Sequence, residues 1–383
     1  MESFVVSARK YRPDTFSSVV GQEHITNTLR NALRQHTLAH AFLFCGPRGV
    51  GKTTCARILA KAVNCSNLTP EGDPCNQCDS CSSFNQGRSL NIFELDAASN
   101  NGVDDIRNLI ERLRYIPQSG SKSVYIIDEV HMLTTAAFNA FLKTLEEPPA
   151  HALFILATTE KHKILPTILS RCQKFDFRRI KVEDIAQRLA FIAEEEHIKY
   201  EDDALHLISL KADGGLRDAL SIFDQIVNFA DKNITYPIVL ENLNVLDYDY
   251  FFRIVDFIRT GDHAGALLLY NEVLEKGFEG YGFISGLLEH LRNLMVGQEP
   301  RTFELLDIAP SVKNRYYQQA STFPSALLLT AFNLVSQTEE SYRDAGNKRL
   351  LIELMLIKLV HLQTVLRLVE EESDPLKKKV MTV

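Results

Sequence analysis

In the first half of the chain, short apolar, β-prone runs alternate with stretches whose apolar positions recur every three or four residues. The runs are AFLFC (41–45), NIFELD (91–96), SVYIID (123–128), ALFILATT (152–159) and KFDF (174–177). Between them, HITNTLRNALRQ, TCARILAKAVN, DDIRNLIERLRYI and TAAFNAFLKTLEE carry helical spacing. Strand–helix alternation of this kind predicts βαβ units on a parallel sheet. The helix predicted over 135–147 stops where Pro148 and Pro149 forbid its continuation. From about 181 the strands disappear. VEDIAQRLAFIAEEEH, DDALHLISLKAD and LRDALSIFDQIVNFA read as amphipathic helices, and a further helical run fills 249–370. The pattern predicts an α/β domain over 1–180, a small helical domain over 181–243, an all-α domain over 244–370 and a tail over 371–383 that breaks at Pro375.

Composition narrows the class. An apolar fraction of 45% and a charged fraction of 24% over 383 residues suit a soluble globular protein of two or three domains. No apolar run is long enough to span a bilayer, and MESFVVSARKYRP has no secretory pattern, so no membrane partner and a cytoplasmic setting are expected. The net charge of −7 divides unevenly: residues 1–180 hold 21 basic against 17 acidic side chains, and the remainder 21 against 32. No polybasic surface is evident, so any nucleic acid must be met by a local patch or by a cavity shared among subunits.

The chemistry concentrates in the first domain. Gly46-Pro47-Arg48-Gly49-Val50-Gly51-Lys52-Thr53 follows a predicted strand and opens a helix through Thr54, the context a P-loop requires. There the glycines let backbone N–H groups close around phosphate, Lys52 reaches the β/γ oxygens of ATP, and the Thr53 hydroxyl ligates Mg²⁺. Asp128-Glu129 ends a neighbouring strand, where Asp128 would hold Mg²⁺ and Glu129 would polarise the attacking water. A glutamate in the second place argues for hydrolysis rather than passive holding. Thr158-Thr159 ends another strand, where a polar side chain is placed to sense the γ-phosphate. Arg171 follows a short helix begun by Pro166, and Gly214-Gly215-Leu216-Arg217 opens a helix of the second domain.

Four of the seven cysteines are grouped over 65–81: Cys65, Cys75, Cys78 and Cys81. In a reducing compartment such a group points to metal, and four thiolates at these spacings suit a closed tetrahedral Zn²⁺ site of structural type. Cys45, Cys55 and Cys172 stand in apolar contexts and are expected to pack.

ARKYRPDTFSSVVGQEH, GPRGVGKTT, the four-Cys insertion, DEVHMLT, LKTLEEPP, TILSRC and GGLRDAL come in the order seen in clamp loaders. Over residues 1–370 the sequence resembles the gamma/tau family of bacterial DNA polymerase III, AAA+ ATPases of the sliding-clamp loader. The resemblance implies an α/β AAA+ P-loop domain with a parallel sheet, a small helical lid domain and an all-α collar domain that holds a hetero-oligomeric ring together. It implies that Ala8, Tyr11, Arg12, Pro13 and Val20 enclose adenine. Thr159 and Arg217 match the first and second sensors, and Arg171 matches the arginine finger that acts on a neighbouring subunit's ATP. The implied partners are other clamp-loader subunits, the sliding clamp and primed DNA, with polymerisation left to other chains of the holoenzyme.

One departure stands out. Where the family places basic residues for template phosphates, this chain reads Asp96-Ala97-Ala98-Ser99-Asn100-Asn101-Gly102, with no base until Arg107; Arg107 and Lys143 are the remaining candidates for DNA. Longer members of the family carry C-terminal regions for polymerase and helicase, and the sequence reaches Val383 before any such region. A helicase-type ring motor is the alternative function, and Ser170-Arg171-Cys172 with LEEPP favours the loader.

Overall fold

A computed structural model describes residues 5–113, 117 and 122–373, with 304, 310 and 363–373 as backbone only. The chain divides into two compact units between Asn233 and Ile234.

The first unit is built on one parallel sheet of β1 (Ala41–Cys45), β2 (Ile92–Asp96), β3 (Ser123–Asp128), β4 (Ala152–Thr158) and β5 (Gln173–Asp176), in the order β2-β3-β4-β1-β5. Successive side chains of a strand face opposite ways, and here both faces are covered. Phe42, Phe44, Val124, Ile126, Leu153 and Ile155 enter a core with Leu29, Ile58 and Leu59 of the helices Glu23–Arg34 and Lys52–Val63. Leu43, Tyr125, Ile127, Phe154 and Leu156 face the other core, with Ile106 and Phe141 of the helices Val103–Arg112 and Thr135–Glu146. Burial on both faces explains why the central strands read as nearly unbroken apolar runs. The last residues of the helix predicted over 104–116 lie outside the described residues.

Helices Val182–Glu195, Asp202–Lys211 and Leu216–Phe229 complete this unit, burying Ile185, Leu189, Ile208, Phe223 and Ile226. The sequence reading carried the lid to 243. In the structure the helix Tyr236–Asn242 belongs instead to the second unit. The chain leaves the preceding helix through two left-handed residues, Asp231 (φ 43°) and Lys232 (φ 63°).

In the second unit the helices Tyr248–Thr260, His263–Glu275, Gly280–Gly297, Pro310–Ser321, Ser325–Tyr342 and Lys348–Ser373 enclose a core of Phe251, Val255, Tyr270, Phe283, Leu287, Tyr316 and Leu356. His290 is buried there between the Tyr316 hydroxyl (2.8 Å) and Gln319 Oε1 (3.0 Å), and burial drives its pKa down to about 3, so it stays neutral. The final helix continues through Ser373, past the predicted end at 370; the rest of the predicted tail, 374–383, lies outside the described residues. Among the described residues no helix is long and apolar enough to cross a membrane.

Candidate nucleotide site and four-cysteine cluster

The loop after β1 sits where strand order reverses, at the carboxyl edge of a sheet whose neighbours β4 and β5 came from later in the chain. Its first residue, Gly46, donates to the Thr158 carbonyl at 3.2 Å. At φ 147° a Cβ on Gly46 would lie 2.5 Å from the Phe177 carbonyl oxygen, so only glycine fits. Val50 is buried, and Gly51, left-handed at φ 102°, turns the chain into the helix that begins at Lys52. The Lys52 side chain is buried, and its ammonium donates to the Gly46 and Pro47 carbonyls at 2.8 and 2.7 Å. Burial lowers its pKa, against the pull of Glu129 and Asp128.

At the end of β3, Asp128 Oδ2 accepts from the Thr53 hydroxyl at 2.7 Å, placing the two oxygens named for Mg²⁺ side by side. The next residue, Glu129, is left-handed (φ 47°, ψ 44°), a conformation that costs a non-glycine residue about 1–3 kcal/mol and that clusters at functional sites. Its Oε2 accepts from the Thr159 amide at 3.2 Å and the Thr159 hydroxyl at 3.0 Å. The strand-end residues chosen from sequence therefore meet.

Sequence reasoning missed two neighbours. His131 Nδ1 lies 3.0 Å from Thr158 Oγ1 and 3.4 Å from Glu129 Oε2, and its Nε2 lies 3.0 Å from Glu160 Oε2. Both residues stood beside chosen ones, in DEVH and TTE, but nothing in their spacing marks them.

The lid meets the loop through backbone: the Arg217 amide points to the Gly49 carbonyl at 3.4 Å, while the side chain is exposed. Gly214, at φ 79°, would drive a Cβ to 2.6 Å from Arg179 Cβ. The N-terminal segment lies along lid helices. Ser7 donates its amide to Asp224 at 2.7 Å, and the Tyr11 hydroxyl bonds to Glu196, leaving Ala8 half-buried between them. Arg12 Nε reaches the Thr54 hydroxyl at 3.3 Å. Pro13 and Val20 are half-buried; Val19, buried, is the valine that approaches Gly51.

Three predicted residues stand apart from the loop. Arg171 pairs with Glu146 at 2.7 Å and donates to the Thr167 carbonyl at 2.7 Å. Arg107 is exposed and pairs with Asp104 at 3.2 Å; Lys143 is exposed on the helix Thr135–Glu146. Arg48 is exposed on the loop itself.

The four grouped cysteines converge, with every Sγ within 4.8 Å of the others. Cys65 Sγ is 3.5 Å from Cys75 Sγ and 4.0 Å from Cys78 Sγ. Thiolates about 2.3 Å from a tetrahedral metal stand roughly 3.8 Å apart, so the set fits one ion. Backbone amides of Cys75 and Cys78 donate to Cys65 and Cys75 sulfurs at 3.4 and 3.3 Å, fixing the ligands from behind. Burial pushes the separate thiols up, Cys45 to about 11 and Cys55 and Cys172 to about 12.

Three family models tile the chain: DNA polymerase III, delta subunit, over 21–181; DNA polymerase III clamp loader subunit, ATPase lid domain, over 184–232; and DNA polymerase III subunits gamma and tau domain III, over 234–371. The DNA polymerase III subunit gamma of Buchnera aphidicola is 35% identical over 94% of this chain and 98% of its own length. The chain belongs to the DNA polymerase III gamma/tau family. It is 38% identical to the tau subunit of Bacillus subtilis over 99% of this chain and 67% of that protein, and 40% identical to that of Escherichia coli over 93% and 55%. It thus spans roughly half to two thirds of those tau relatives. Among solved structures, the Thermotoga maritima RuvB Holliday junction branch migration motor aligns at 20% identity with a TM-score of 0.47, over 65% of this chain and 79% of that one.

Proposed function

We propose that this gamma/tau-family chain binds ATP with Mg²⁺ and hydrolyses it as a motor subunit of a clamp loader, opening a ring clamp with partner subunits and placing it on primed DNA. The observation that carries the reading is the meeting of Thr53 with Asp128 and of Glu129 with Thr159, beside a buried Lys52. Thr53 and Asp128 would hold Mg²⁺, which when bound neutralises charge on the β- and γ-phosphates. Lys52 exchanges its two carbonyl partners for phosphate oxygens. Glu129 orients water, and its bond to Thr159 ties that carboxylate to the residue read as γ-phosphate sensor. Arg217 acts from the lid, and Ala8, Tyr11, Arg12, Pro13 and Val20 enclose the base.

Arg171, held on its own surface by Glu146, serves the ATP of the adjacent subunit. Cys65, Cys75, Cys78 and Cys81 would hold a Zn²⁺ that stabilises the fold. Polymerisation belongs to other chains of the holoenzyme.

The test mixes the chain with loader partners and clamp and measures DNA-stimulated ATP hydrolysis together with clamp loading. Stimulation by clamp and primed DNA together is expected. Duplex unwinding without clamp loading would establish the helicase-type motor instead.

A further inference from the structure

The cysteine cluster is tied to the nucleotide site by side chains that ligate nothing. Asp73, two residues before Cys75, is buried in the first unit. Its Oδ1 accepts from the Phe16 amide at 2.7 Å, and its Oδ2 accepts from the Ser17 hydroxyl and from Arg30 Nη2 at 3.0 Å. Asn76, directly after Cys75, is left-handed at φ 59°. Its Nδ2 donates to Asp14 Oδ2 at 3.0 Å, and its Oδ1 accepts from the ammonium of Lys61. Lys61 lies buried on the helix that starts at Lys52, and it also donates to Asn85 Oδ1 at 3.3 Å.

These bonds join three pieces distant in sequence. One is the stretch Asp14–Ser17, which continues from Arg12 on Thr54 into Val19 against Gly51. Another is the P-loop helix. The third is the turn that carries Cys75. A buried ammonium and a buried carboxylate are costly to hold unless every partner stays in place, so the turn's conformation and that of the N-terminal stretch are set together. What fixes the turn is the convergence of Cys65, Cys75, Cys78 and Cys81.

We propose that Asp73 and Asn76 are positioning residues for nucleotide binding, making metal occupancy of the four-cysteine cluster and ATP affinity mutually dependent. The inference rests on the ATP-binding reading above. A stabilising metal alone requires no such dependence; coupling does, and linkage makes it reciprocal. The metal strengthens nucleotide binding, and nucleotide tightens metal binding by the same factor.

The experiment uses the full chain loaded with Zn²⁺. Affinity is measured with a fluorescent ATP analogue, and zinc release, read as the equilibrium partition of zinc to a competing chromophoric chelator, is measured with and without ATP. Asn76→Gly removes the amide while keeping the left-handed backbone unstrained, and circular dichroism checks that the variant is folded; Asp73→Asn is the sharper variant. Both are expected to keep one zinc per chain, to weaken the analogue by roughly tenfold, within the usual range of coupling between sites, and to abolish the protection that ATP gives against zinc release. In the unaltered chain ATP is expected to raise the apparent zinc affinity against the chelator by a similar factor. Unchanged analogue affinity in folded Asn76→Gly, or zinc release indifferent to ATP in the unaltered chain, overturns the coupling and leaves ATP binding standing. An unaltered chain that binds the analogue no better than Lys52→Ala overturns the ATP-binding reading and the coupling with it.

Discussion

Glu129→Gln is expected to separate binding from hydrolysis. The Glu129 carboxylate accepts two hydrogen bonds from Thr159 through one oxygen, at 3.0 and 3.2 Å. A glutamine places its carbonyl oxygen on the same two donors, and it meets the left-handed backbone at Glu129 with the same cost. Fold and loop geometry should therefore be retained, and what disappears is the negative charge proposed to draw a proton from water. General-base catalysis contributes about 10²–10⁴ in rate, equivalent to about 3–5 kcal/mol of barrier. Hydrolysis should fall within that span, and ATP affinity should stay within about threefold of the unaltered chain. A coupled phosphate-release assay in the assembled complex reads the first quantity, and titration of a fluorescent analogue reads the second. Turnover within tenfold of normal would refute the assignment of Glu129, and a parallel loss of affinity would mean that its role is in holding nucleotide.

Lys52→Ala should abolish analogue binding, because it removes the ammonium that the loop carbonyls of Gly46 and Pro47 hold and that is proposed to reach phosphate. Gly46→Ala should do so indirectly: its methyl would press within 2.5 Å of the Phe177 carbonyl, and the thermal midpoint should drop along with affinity. For Arg171→Ala the lost ion pair to Glu146 is exposed, so the isolated chain should lose no more than about 1 kcal/mol of stability. In the assembled complex its hydrolysis should fall by about 10³ or more, and mixing Arg171→Ala with Lys52→Ala subunits should restore part of it; normal turnover with every Arg171 removed eliminates the finger. Elemental analysis should find one zinc per chain, with X-ray absorption giving metal–sulfur distances near about 2.3 Å, and Cys78→Ser should lower the thermal midpoint; a folded, metal-free chain with reactive thiols at all four positions contradicts the metal site.

The central strands were legible because both their faces are buried, which writes each as an apolar block such as AFLFC or ALFILAT. The phosphate loop was legible because its chemistry is local: the residues that close it are neighbours in sequence. The gathering of Asp128, Glu129 and Thr159 followed from parallel strands delivering their carboxyl ends to one edge. Legibility failed where partners come from far along the chain without periodicity. His131 lies between Thr158 and Glu160, and Asp73 reaches Phe16, only through the tertiary fold. The left-handed turn of Glu129 was equally invisible, since glutamate gives no propensity signal for it. The division after Asn233 escaped because Asp231 and Lys232 break the chain without glycine or proline.

The position of β1 has a consequence for synthesis on the ribosome. Its two partners, β4 and β5, are translated long after it, and Cys45 at the mouth of the loop is paired with Thr158 on one side and Asp176 on the other. Until both have left the exit tunnel, the loop hangs from a strand with unpaired edges, and a nascent chain has no formed place for ATP. Nucleotide capture at this loop is therefore expected late in the birth of this protein. Stalled chains ending near residue 150 should not be retained on immobilised ATP, whereas chains long enough to expose Asp176 and the lid should be.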